Sequence, residues 1–295
     1  MDRQIDTSCA IQRTTSPGMD AILGHAYPVL DHGFIRVIDY MGDDAAIVQM
    51  ARTSYGDGTK VKSDDKGLIR YLMRHWHTSP FEGCEIKLHV KLPVFVARQW
   101  IRHRMVNVNE VSARYSILPG EFYIPEAERL GPQSLTNKQG TAAEGYSAAE
   151  AAIMLDLIEN ANSVAYGAYA TMVDGPEVGG YDLSRELARV VLPVNIYTEW
   201  YWKIDLHNLF HFMKLRSDPH AQYEIRVYAD IIANLMALWV PEAYRAWVDY
   251  RRDAVTFSRM EMDLIKANIH SLWTDHRDMT TREIKEFKAK LGWTE

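Results

Sequence analysis

The sequence predicts an α+β fold, a single domain in which a mixed or antiparallel sheet is flanked by long helices, and three features predict it. The segment EIKLHVKLP alternates strictly: Ile86, Leu88 and Val90 face one way, Lys87, His89 and Lys91 the other, as in a half-buried strand. Phe34–Tyr40 and the aromatic run NIYTEWYWKID read as two more strands. Long helical patterns lie between them, without the regular strand–helix–strand alternation of a parallel sheet.

In chain order, residues 1–30 have mixed charge and read as a flexible extension. The first strand is closed by Gly42, and Asp43 or Asp44 is placed to cap the helix AAIVQMARTSYG. A turn-rich loop, YGDGTKVKSDD, precedes a second helix, KGLIRYLMRHWH, which Pro80 should stop. After the alternating strand, Pro93 suits the first position of a helix, PVFVARQWIRHR. Val94, Ala97 and Ile101 should form its buried stripe and Gln99, Arg102 and His103 a polar one. The chain then leaves the helix, and Glu110, Ser112 and Arg114 alternate as though aimed to one side of an extended segment. Residues 127–147 read as a polar surface insertion, followed by a long helix from Ala148 to Met172. VDGPEVGGYD breaks that helix, and Asp182 or Ser184 should cap RELARVVLP. In LHNLFHFMKLR, Leu206, Leu209, Phe210 and Met213 share a stripe, and Ser217-Asp218-Pro219 should restart a longer helix reaching Trp239. The expected organisation is an extension over 1–30, one domain over 31–240 and a helical C-terminal extension over 241–295.

Composition narrows the function classes. The 295 residues are 47% hydrophobic and 24% charged, a globular balance, and the net charge of −6 argues against a general nucleic-acid binder. Cys9 and Cys84 are too few for a disulfide framework, which predicts a reducing, cytoplasmic setting. No apolar run reaches the roughly 18 residues of a membrane span, and the N-terminus lacks the apolar core of a secretory leader.

The motifs narrow them further. Neither a G-x-G-x-x-G nor a P-loop pattern occurs, so standard dinucleotide and nucleoside-triphosphate cradles are not signalled, and no G-x-S-x-G elbow is present. His207 and His211 lie four apart, as zinc ligands can, but HNLFH lacks the glutamate of the zinc-protease motif, and hydrogen-bonded histidines at a polar site are the better reading. Cys84 has no activating base beside it in sequence and reads as packing. Ser112 has no readable Ser-His-Asp set and suits a contact to phosphate or base. The basic cluster in RQWIRHRMVNVNEVSARYS stands out: Arg98, Arg102, Arg104 and Arg114 crowd around Glu110, beside Gln99, Asn107 and Asn109. Guanidinium forks so gathered in an acidic protein point to a small anionic ligand more than to a solvated face.

RHRMVNVNEVS resembles the signature of flavin-dependent thymidylate synthases, R-H-R and a serine separated by seven residues. ARTSY, YLMRHWHTSPFE, PVFVARQWIRHR, NEVSARYS, EFYIPE, ELARVVLPVNIYT and LFHFMKLRSDPHAQYEI resemble further blocks of that family, in its order, across Gly33 to Trp239. The resemblance implies methylation of dUMP to dTMP, with the methylene group from 5,10-methylenetetrahydrofolate and reducing equivalents from NADPH carried through FAD. It implies a non-Rossmann flavin site built between subunits of a homotetramer. By position it assigns FAD contacts to Ser54, His77, Ser79, Arg102, His103, Arg104, Glu110, Asp205, His207 and His211. It assigns the dUMP site to Gln99, Arg102, Glu110, Ser112, Ala113, Arg114, Arg189 and Arg216, with Arg216 the catalytic candidate that favours ionisation at N3 of the uracil. No metal is implied. Asp205 departs from the asparagine of many relatives, Ser79 replaces a frequent threonine, and Ala113 and His211 stand at variable positions.

Two other classes compete. A metal-dependent nucleotide phosphohydrolase would use the histidines, and a non-enzymatic nucleotide or RNA binder would use the arginines with steep salt dependence. Neither accounts for the ordered blocks, and the arginines, Glu110 and Ser112 expected of an active enzyme are all present.

Overall fold

The computed structural model describes residues 13–53, 64–135, 138–268 and 280–291. Two compact units emerge, residues 1–252 and 253–295. The first carries a five-stranded sheet of order β1-β2-β3-β5-β4, antiparallel throughout: β1 (Ala26–Val29), β2 (Gly33–Met41), β3 (Glu85–Pro93), β4 (Asn107–Glu110) and β5 (Tyr197–Asp205).

The predicted alternation of β3 holds. Ile86, Leu88 and Val90 are buried, and the β3–β5 register sets Leu88 opposite Trp202 and Val90 opposite Trp200, so both indoles join the same apolar face. Asp43 rather than Asp44 caps α2 (Asp44–Thr53), its carboxylate accepting from the Ala46 N–H at 3.0 Å. Asp44 instead accepts from the N–H groups of Glu242 and Ala243 (2.8 and 2.9 Å), capping α10 (Pro241–Trp247). Gly42 sits between strand and helix at φ +78°, and a Cβ there would meet the Cys84 sulfur at 2.7 Å.

Several boundaries differ from the sequence reading. A short helix, α1 (Pro17–Asp20), lies within the expected loose extension. Met19 is wholly buried, and Ser16 donates through its N–H to the Tyr40 hydroxyl and through Oγ to the Leu238 carbonyl. One buried methionine and two hydrogen bonds outweigh the polar composition of the flanks. α3 (Asp65–Arg74) ends before Pro80, which opens the one-turn α4 (Ser79–Glu82), a proline being at home in a helix's first turn. α5 spans Val94–Trp100, with Pro93 as the last residue of β3, and it buries Val96, Ala97 and Trp100. Val94 and Ile101 are only half-buried because the heaviest side chain sets the rotation of this short helix.

α6 (Ala148–Val173) is opened by a Ser147/Glu150 capping box; α7 is the single turn Arg185–Ala188. α8 (Leu206–Arg216) buries the four predicted residues and Phe212 as well. α9 (Tyr223–Trp239) is preceded by Gln222, later than Pro219 suggested. The core also runs past residue 240, taking in Ala243, Ala246 and Trp247. Those residues follow a helix-opening proline, and their apolar face was hidden among the charges that make the C-terminal region look peripheral. In the second unit, α11 (Arg259–Asn268) and α12 (Thr281–Leu291) each begin with a capping box, Ser258/Glu261 and Thr280/Glu283.

Trp100 is the centre of the core. Its ring makes edge contacts with Trp200, Trp202 and Tyr228 and a tilted one with Phe212, at centroid distances of 4.8–5.9 Å. It thereby joins α5 to β5, α8 and α9. Trp100→Ala should lose about 3–5 kcal/mol of stability, read as a large fall in denaturation midpoint; a shift no larger than an exposed substitution gives would remove Trp100 from this role.

Candidate active site

The arginine-rich segment follows directly from Trp100. α5 ends at Ile101, so Arg102 and His103 lie in the turn beyond it, and Phe212 of α8 packs edge-on against the His103 ring at 4.9 Å. Arg216, at the other end of α8, donates from Nε to His103 Nε2 (3.1 Å) and from Nη2 to the Gln99 carbonyl (3.1 Å). Two predicted residues of one segment are thus hydrogen-bonded to a third more than a hundred residues away. The Gln99 amide also donates to Gln222, and His211 lies beside His103 at 5.9 Å between ring centroids.

The electrostatics of this pair are one-sided. Burial, then the Arg216 cation and then His211, push the His103 imidazole down from 6.5 to about 4, so it is neutral near pH 7 and accepts through Nε2. Burial lowers Arg216 as well, yet a guanidinium remains the cation at neutral pH. With Nε and one terminal nitrogen engaged, its other N–H groups are left for an anionic partner.

Four of the predicted nucleotide residues, Glu110, Ser112, Ala113 and Arg189, line a hollow of about 480 Å³ together with Val94, Leu118 and Leu192. Glu110 ends β4, and its carboxylate accepts from the buried Thr198 hydroxyl at 2.7 Å, so it is anchored from β5 rather than ringed by arginines. The extended run does not continue through Arg114: the Ser112 carbonyl accepts from the Tyr115 and Ser116 N–H groups, which turns the chain. Arg114 pairs with Glu186 (2.7 Å), and Arg189 donates to the Glu186 carbonyl (3.3 Å). Glu186 of α7 was not singled out in the sequence, although it lies three residues from Arg189, one helical turn away.

The flavin candidates divide. His77, His207 and His211 line a second hollow with Phe81, Phe210, Lys214, Trp247 and Arg251; Ser79 is exposed on α4 close by in sequence. Arg104 and Asp205 line a shallower one with Glu85 and Lys203. Asp205 caps α8, accepting from the Asn208 N–H at 2.9 Å and its side-chain amide at 2.7 Å. Asparagine caps a helix as well as aspartate does, so the cap itself does not require the carboxylate. Arg98 and Arg102 are exposed, and Ser54 lies outside the described residues. The apolar, aromatic floor of the second hollow, with its three histidines, suits a flat ring.

Cys84 is wholly buried, and burial with Asp43 and Asp44 nearby pushes its thiol up to about 12, the wrong direction for a nucleophile. Among the described residues no three His, Cys, Asp or Glu side chains converge as metal ligands, and no helix is long and apolar enough to cross a membrane. Nothing here favours the hydrolase reading.

Two outcomes follow. Because His103 titrates lower in the folded state than in the unfolded chain, its contribution to stability is intact above pH 6.5 and is lost as pH falls toward 4. Thermal melts across that window should therefore fall less steeply for His103→Asn than for the parent protein; equal slopes would place the proton elsewhere. Asp205→Asn should leave the melting temperature nearly unchanged, whereas Asp205→Ala should cost about 1 kcal/mol through loss of the cap.

Residues 36–242 match the model of the thymidylate synthase complementing protein family. The flavin-dependent thymidylate synthase of Ruegeria pomeroyi is 55% identical over 294 residues, covering 99% of this chain and 96% of its own. That of Wolbachia pipientis is 54% identical over 257 residues, covering 87% and 88%. Among solved structures, the UMP/dUMP methylase PolB of Streptomyces cacaoi, bound with 5-Br UMP, superposes with a TM-score of 0.65 at 31% identity, over 76% of this chain and 98% of its own. The chain belongs to the flavin-dependent thymidylate synthase family.

Proposed function

We propose that this protein methylates dUMP to dTMP, with 5,10-methylenetetrahydrofolate as carbon donor and NADPH as reductant of a bound FAD. The observation that carries the reading is the His103–Arg216–Gln99 contact: the guanidinium expected at the uracil is locked in place by the residue expected at the flavin. When bound, the flavin supplies hydride transfer, chemistry that no side chain performs. The chain's own part is electrostatic. C5 of uracil is a poor nucleophile, and the buried Cys84 offers no thiolate for addition to C6. A fixed guanidinium beside the ring stabilises negative charge developed by N3 ionisation, which raises electron density at C5. Arg189 at the hollow's edge suits the phosphate, Ser112 can donate to it, and Glu110, held by Thr198, has its other oxygen to position a ring N–H or sugar hydroxyl.

The nucleotide and flavin candidates line separate hollows, and we propose that they meet by homotetramer formation. α6 is 26 residues long and buries only Ala151, Asn162 and Tyr169. Ile153, Leu157 and Val164 are exposed on it, as are Tyr181, Leu187, Val190 and Val194 in the following segment. Apolar surface of that extent is characteristic of an interface, and a second copy would cover it and bring its own flavin residues to the nucleotide hollow.

The test is a visible spectrum of purified protein after adding FAD and then dUMP, followed by dTMP formation with both cosubstrates. A flavin spectrum perturbed by dUMP is expected; a protein colourless after desalting would sink the reading. Arg216→Ala should retain flavin and lose dTMP formation by about two to three orders of magnitude, the usual loss when a group stabilising developing charge is removed. Wild-type turnover in that variant would take Arg216 out of the chemistry. Sedimentation should give four copies, and a monomer active at high dilution would refute the shared site.

A further inference from the structure

Two unusual backbone segments meet at the rim of the hollow lined by His77, His207 and His211. Trp76 stands at φ +61°, a left-handed conformation that is strained for a bulky side chain, and its indole is 70% exposed. Facing it is a π-helical turn, Val248–Arg252, a rare geometry often found at functional sites. Arg70 fixes that turn through Asp249 (2.6 Å) and the Tyr250 hydroxyl (2.8 Å), and the turn in turn sets the Arg251 guanidinium over the Trp76 ring, 3.0 Å from its centroid.

Arg251 also donates to the Met73 carbonyl (2.6 Å), and Lys214 donates to the Arg251 carbonyl (2.6 Å). Among the described residues no carboxylate pairs with Arg251, and burial alone lowers its pKa to about 10. Below these two cations the wall is Leu72, Phe81, Phe210 and Trp247. Nothing in the packing requires an exposed tryptophan in a strained conformation. A core position would relax it, and a surface position would replace it. Backbone strain retained at such a place marks a ligand clamp, and a cation without a counter-ion marks the charge of the ligand.

We infer that Trp76, Arg251 and Lys214 form a binding platform for a flat heteroaromatic ring joined to an anion, the chemistry shared by NADPH and methylenetetrahydrofolate. The ring stacks on the open side of the Trp76–Arg251 pair, and the phosphate or carboxylate lies against Lys214 and the guanidinium edge. This rests on reading the three histidines as flavin contacts, because the same hollow then brings the cosubstrate to the cofactor. Arg251 also lies beyond residue 242, where the match to the family model ends.

The holoenzyme decides it. Trp76→Asn removes the indole with a residue that accepts a left-handed backbone, and Arg251→Gln removes the cation and carries the test if the first variant fails to fold. In each, flavin content is read from the visible spectrum, flavin reduction is titrated with NADPH, and dTMP formation is titrated with methylenetetrahydrofolate and with dUMP. The expected result is wild-type flavin content, unchanged dUMP saturation and an about tenfold higher half-saturating concentration of one cosubstrate, the affected one identifying the occupant. Unchanged saturation by both, or loss of flavin instead, overturns the platform while leaving the flavoenzyme reading standing. A wild-type protein that takes up no flavin overturns both.

Discussion

The contact on which the site depends is the packing of Trp100 against Trp200, Trp202, Phe212 and Tyr228. It is the last residue of α5, and the turn that follows carries Arg102 and His103. Phe212 lies on α8, whose far end carries Arg216, and touches both Trp100 and His103. One aromatic cluster therefore sets the separation between the two ends of a hydrogen bond whose members are 113 residues apart in sequence. The Nε1 atoms of Trp100, Trp200 and Trp202 are buried and, among the described residues, meet no hydrogen-bond partner. Each costs stability of order 1 kcal/mol or more. The area of three indoles exceeds that cost, and an apolar cluster gives the rigidity that positioning a guanidinium requires.

Much of this architecture was legible because it follows local rules. The period-two pattern of Ile86, Leu88 and Val90 and the stripe of Leu206, Leu209, Phe210 and Met213 led to β3 and α8 with the right faces inward. What failed were features set by mass or by distance. The rotation of α5 obeys Trp100, which keeps the predicted Ala97 inside but leaves Val94 and Ile101 half-buried, since burying an indole outweighs burying a valine. Met19 is on α1, which packs against α9, and Trp247 stacks on Phe210 of α8; composition windows do not see such partners.

The candidate site divides in the same manner. Residue types and their order were readable from the signature, and Arg189, Ser112 and Glu110 lie around one hollow. The partners were not. Thr198 reaches Glu110 across the β4–β5 pairing, a register that sequence does not reveal. Glu186 holds Arg114 over a separation of 72 residues, and its own sequence neighbourhood, RELAR, reads only as a helical turn. Asp205, expected at the flavin, also caps its own helix, a local role that the Asp205–Asn208 spacing could have signalled.

These partners also show how three of the guanidinium groups near the two hollows are held. Each arginine is treated differently. Arg114 is neutralised by a carboxylate, Arg216 is held by a neutral imidazole and a carbonyl, and Arg251 is held by an indole and a carbonyl. A carboxylate consumes the positive charge it orients, whereas a neutral acceptor or an aromatic face orients the fork and leaves its charge for a ligand. On that distinction Arg114 is spent on the frame beside Glu186, while Arg216 and Arg251 keep their charge for the ligands proposed above. Low basicity of His103 is then a requirement rather than a by-product of burial: a protonated imidazole has no lone pair to offer Arg216 and would add a second positive charge beside it.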